Sequence, residues 1–111
     1  MWINLLFIIA RGMEHRFPEG NEPFQMMTRL LEESGELAQQ VNHFENTGIK
    51  RLKYGPPDRA QLAKEVMQVL RCTAQVAVYY GVEQEVESEL YQAYQRLKSE
   101  GHILDEEEFI I

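Results

Sequence analysis

Met27-Thr28-Arg29-Leu30-Leu31-Glu32-Glu33-Ser34-Gly35-Glu36-Leu37-Ala38-Gln39-Gln40-Val41-Asn42-His43-Phe44 is the stretch whose period decides the fold class. Met27, Leu30, Ser34, Leu37, Val41 and Phe44 recur at spacings of three and four, which draws one stripe along a helix. Asn21 suits the N-cap and Pro23 the first turn, where a missing N–H costs little, while Gly48 is a natural stop. A helix over about 22–46 is therefore expected.

Outward from it the same period returns. Leu62, Val66, Val69, Leu70, Thr73, Ala77 and Tyr80 predict a helix over 58–80, capped by Asp58 and closed by Gly81. Further helices are expected over about 2–14 and 83–100, and Pro18 and Gly20 break the chain between the first two. Residues 103–111 form an acidic and then apolar tail. No strand-like alternation of useful length occurs. The reading is all-α: one domain over 1–111, a four-helix-type bundle.

Composition narrows the function. The chain has 111 residues, enough for one core and too few for two domains. Its hydrophobic fraction of 44% fits a chain that buries a core. Eighteen acids against 11 bases, a net charge of −7, argue against a broad footprint on a nucleic-acid polymer. Acidity leaves a nucleotide ligand open, because bound divalent cations invert the local field. Cys72, the single cysteine, excludes an intrachain disulfide and a cysteine metal cluster. Within an apolar helical pattern it reads as a buried, inert thiol, in keeping with a cytoplasmic protein.

The opening run Trp2 to Ala10 is about half the length that spans a bilayer, and its basic residue, Arg11, follows it rather than preceding it. No membrane role is expected. The run is either a first helix packed on the bundle or on a partner subunit, or an extension upstream of a start at Met13.

Two acidic pairs carry the chemistry. Glu33 and Glu36 lie three apart on the second helix, and Glu65 and Gln68 repeat that spacing on the third. Three steps of about 100° nearly close a turn, so each pair projects to one side. On both helices the first member falls at the edge of the apolar stripe and the second on its flank. Facing pairs could form the cage of oxygens by which Mg²⁺ is held against a phosphate chain. Glutamates at such spacings are also common on solvated faces, the natural reading of Glu32, Glu87 and Glu89. Gly35 within a helix costs about 1 kcal/mol relative to alanine, which suggests close approach by a helix or a ligand.

Glu33-x-x-Glu36, a gap of 28 residues, and Glu65-x-x-Gln68 followed by Val69-Leu70 resemble the MazG-like all-α nucleoside triphosphate pyrophosphohydrolases. Leu30-Leu31-Glu32, Glu36-Leu37-Ala38, Lys64-Glu65-Val66 and Tyr80-Gly81-Val82-Glu83 extend the likeness over about residues 23–98. The resemblance implies cleavage between the α- and β-phosphates of a nucleoside triphosphate, giving a monophosphate and pyrophosphate. It implies Mg²⁺, with Mn²⁺ as an alternative, held by Glu33, Glu36, Glu65 and the residue at position 68, and a homodimer or homotetramer.

The chain departs from the family twice. Gln68 stands where the family has aspartate; its carbonyl can meet a metal, but it carries no charge and cannot act as a base. The lysine and asparagine that many relatives have on the fourth helix are missing from the region of Glu89, Tyr91, Tyr94 and Gln95. Lys50, Arg51 and Lys53 of a basic loop, or Lys64, are the substitute cations for substrate phosphates, unless that loop is simply a solvated turn. A catalytically inactive relative, serving as a nucleotide-binding or protein-interaction module, is the alternative function, and a plain helical scaffold is a third.

His15, His43 and His102 show no metal-ligand spacing and read as surface or half-buried histidines. Tyr79, Tyr80, Tyr91 and Tyr94 suit core and interface, leaving Tyr54 or Trp2 as the aromatic that could meet a base.

Overall fold

The computed structural model describes residues 2–46 and 55–104, and among these it is all-helical. Four helices follow in order: α1 (Trp2–Arg16), α2 (Pro23–Phe44), α3 (Arg59–Tyr80) and α4 (Glu83–Ser99). Among the described residues no helix is long and apolar enough to cross a membrane.

The helix ends follow from local chemistry. Asp58 caps α3 as expected, its carboxylate accepting from Ala60 N–H at 2.9 Å. Gly81 ends α3 in the left-handed region at φ 65°, while Val82 N–H donates to Ala77 C=O across the turn. At the start of α2 the cap is Glu22 rather than Asn21; Glu22 N–H donates to Gln25 Oε1 at 3.1 Å. Asn21 turns back instead and donates to Phe17 C=O at 2.8 Å. α2 stops before Gly48 because Asn46 takes a positive φ of 59°.

α3 is the central element, packed against α2 and against α1, whereas α4 touches it only lightly and buries no residue. The radius of gyration is 17.0 Å, against about 13 Å for a compact chain of this length. The bundle is therefore open within one chain.

α1 buries Ile3, Leu6, Phe7 and Ala10, spaced three, one and three apart, on Ala74 and Ala77 of α3, with Val78 and Val86 beside them. The two alanines are small enough to let the α1 side chains approach the α3 backbone. Each large apolar side chain buried here contributes about 1.5–3 kcal/mol. The opposite side of α1 is bare: Trp2, Leu5 and Ile8 remain more than half exposed.

The inward faces of α2 and α3 follow the apolar stripes read in the sequence only in part: Ala77 is buried and Leu30, Leu37, Phe44, Leu62 and Val69 are half-buried. Met26, Gln40 and His43 are the buried residues of α2, while Met27 and Val41 lie exposed. On α3 the buried residues include Glu65, Arg71, Cys72 and Gln75, while Val66 is 42% and Tyr80 60% exposed. Apolarity ranks the faces of a helix by transfer free energy, but the face buried is the one another helix is there to cover. In this chain much of the apolar stripe has no such neighbour.

Candidate metal centre

The rotation of α2 that buries Met26 and Gln40 brings Glu33 between them on the same face. It is half-buried rather than at the edge of the packed surface. Glu36 follows one turn later and is more open, and Glu65 comes from the facing turn of α3 with only 7% exposure. Oxygens of all three carboxylates lie within 4.8 Å of one another. The two helices do what helical spacing could only permit.

Three carboxylates at this separation repel, and the electrostatics record it. Burial, then the charges of Glu36 and Glu65, raise the Glu33 carboxyl above its ordinary value of 4.5, and a hydrogen bond shared with Glu36 adds to the rise. Arg71 pulls the other way. Glu65 Oε2 is buried without a hydrogen-bond partner, and Oε1 has only a long 3.5 Å contact from Gln61 Nε2. A buried anionic oxygen left unpaired is costly. Three converging carboxylates, one of them with an orphaned buried oxygen, could hold a metal ion.

Gln68 is held away from free use. Its Oε1 accepts from Arg71 Nε at 2.9 Å, and Arg71 Nη1 donates to Gln75 Oε1 at 2.8 Å. Residues 68, 71 and 75 thus form a ladder along one side of α3, and Arg71 and Gln75 are 6% and 2% exposed. The sequence reading passed over Arg71 and Gln75. The signal was present, since Arg71 is the one basic residue between Lys64 and Arg96 and sits inside an apolar run.

Of the expected phosphate-binding cations, Lys64 is exposed beside Glu65, while Lys50, Arg51 and Lys53 lie outside the described residues, as does Tyr54. Among the described residues no atom of another helix lies within 4 Å of where a side chain at Gly35 would begin, so helix packing among them does not explain that glycine. Ser34 spends its hydroxyl on Leu30 C=O at 2.8 Å.

Cys72 is buried at 1% exposure, and burial raises its thiol, as an inert core cysteine requires. His43 is buried rather than on the surface. Its Nε2 lies 2.7 Å from Gly55 C=O, so Nε2 carries the proton and ties the end of α2 to the approach of α3. Tyr79, Tyr80 and Tyr91 are exposed and contribute nothing to the core of the single chain.

No protein-family model, curated protein or solved structure matches the chain.

Proposed function

We propose that the protein is a Mg²⁺-dependent nucleoside triphosphate pyrophosphohydrolase, with Glu33, Glu36 and Glu65 as the metal-holding residues. The observation that carries this reading is the convergence of the three carboxylates around a buried, unpartnered Glu65 oxygen. Mg²⁺, when bound, supplies neutralisation of phosphate charge and a water of lowered pKa. The residues supply the rest. Glu65 is fixed by burial, Glu33 is held between it and Glu36, and Glu36 stands open to solvent on the side from which a ligand arrives. Gln68 bonds to Arg71 and adds neither charge nor basicity.

A second copy of the chain is part of this reading. Among the described residues the outer face of α1 (Trp2, Leu5, Ile8), part of the α3 stripe (Val66, Leu70) and Leu90, Tyr91 and Leu97 of α4 leave apolar surface bare. A dimer, or a pair of dimers, covers such faces economically.

One observation favours the rival reading of a catalytically silent nucleotide-binding or protein-interaction module: the Gln68 carbonyl is already taken by Arg71. The deciding experiment measures pyrophosphate release from a panel of nucleoside triphosphates with Mg²⁺ or Mn²⁺. Wild type is expected to be active and Glu36→Ala inactive. Activity that appears only in Gln68→Asp would establish the silent module, and silence in both proteins would remove the enzymatic reading.

A further inference from the structure

A cavity of about 360 Å³ opens where the end of α1, the turn after it, α2 and α3 meet. Its size falls within the ~300–1,000 Å³ of small-molecule sites. Met13 and Phe17 form its apolar wall, and Asn21, Arg29, Arg71 and Gln75 line the rest.

The hydrogen-bonding inventory of that lining is one-sided. Arg71 is buried, yet among the described residues no carboxylate lies within ion-pair distance of it or of Arg29. Of the five N–H donors of Arg71, two are spent, on Gln68 and Gln75. Arg29 gives one to Gly20 C=O at 2.7 Å. Three local acceptors are engaged, Gly20 C=O by Arg29, Phe17 C=O by Asn21 and Gln75 Oε1 by Arg71, which leaves Asn21 Oδ1 as the neutral side-chain acceptor of the lining. What remains is an excess of donors and two positive charges. Two carboxylates oppose these charges: Glu33, which feels Arg71 but lies beyond ion-pair distance and is shared with Glu36 and Glu65, and Glu19 at the rim, which is exposed and therefore screened by water. A buried guanidinium with no carboxylate at ion-pair distance favours an anion that can meet it.

Gln68 is what keeps Arg71 available. An acid at that position would accept the same Nε–H and neutralise the guanidinium, whereas glutamine accepts the bond and leaves the charge. We infer that this cavity is an oxyanion site of its own, taking a phosphate group on Arg71 and Arg29 with Gln75 and Asn21 as neutral donors. The group is either free inorganic phosphate or pyrophosphate, or the phosphate of a nucleotide whose apolar part meets Phe17. The inference goes beyond the proposed activity and does not rest on it, because the site needs no metal.

The test is calorimetric titration of the full chain with inorganic phosphate, pyrophosphate and a nucleoside monophosphate, in a metal chelator at constant ionic strength. Saturable binding to wild type is expected. Arg29→Gln, and independently Gln68→Glu, are expected to weaken it roughly tenfold or more, the ratio for a lost charge-assisted hydrogen bond. Glu89→Gln, which removes an exposed carboxylate of α4 and no residue of the cavity or the acidic trio, is expected to bind as wild type does. Tightest binding by the monophosphate would assign the site to nucleotides, and by phosphate or pyrophosphate to the free anion. Absence of saturable binding in wild type would overturn the inference. So would unchanged affinity in both Arg29→Gln and folded Gln68→Glu.

Discussion

α3 makes two interfaces of opposite character. Toward its C-terminus it meets α1 through Ala74 and Ala77 against Ile3, Leu6, Phe7 and Ala10, an apolar cluster. Toward its N-terminus and middle it offers Glu65, Gln68, Arg71 and Gln75, and α2 brings Arg29, Glu33 and Gln40 to the same side. The first interface is what hydrophobic burial builds when stability is the only demand. The second forgoes that gain, leaves Glu65 Oε2 and Gln40 Oε1 without hydrogen-bond partners, and crowds like charges. Polar groups buried at such cost, in a chain with an apolar stripe to spare, single out this interface as the candidate site.

The comparison breaks most visibly at Phe7. Phe7→Ala should cost about 3–5 kcal/mol, the range for an aromatic removed from a core, and denaturant unfolding reads it directly. A loss below about 1 kcal/mol would mean that α1 is not the anchor described here. Ala77→Leu probes the same face by overfilling it, with an expected cost of about 1–3 kcal/mol from side chains forced off their rotamers. If Ala77→Leu were stabilising, the α1–α3 contact would be looser than drawn.

On the polar side the effects are smaller. Asp58→Ala removes the cap that starts α3 and should cost about 1 kcal/mol, while Asp58→Asn should restore most of it. The smallest effect has the opposite sign. Glu33 binds its proton more tightly folded than unfolded, so wild-type stability falls as pH rises from the ordinary carboxylate value through the raised folded one. Glu33→Gln escapes that loss. Its melting temperature without metal should exceed that of wild type at neutral pH, and the difference should shrink as pH drops below about 4.5. A variant less stable than wild type at every pH would show that Glu33 is held by favourable contacts rather than crowded by its neighbours.

Helix content was legible because it rests on local physics: a period of three and four, Asp58 and Gly81 as caps, and Pro18 and Gly20 as breakers, all acting over a few residues. The acidic trio was legible as a possibility, since spacing places Glu33 with Glu36 and marks Glu65 as their answer. Orientation was not. Met27 and Val66 were the natural inward choices by apolarity, yet Met26 and Glu65 are buried, because a helix turns toward the neighbours its chain supplies. The same cause hid Arg71: in sequence it is a lone cation in an apolar run, and only the approach of α2 and the 17–21 turn makes it the floor of a cavity. Local chemistry determined the elements, and the long-range contacts of α3 decided which of its faces became core and which became the candidate site.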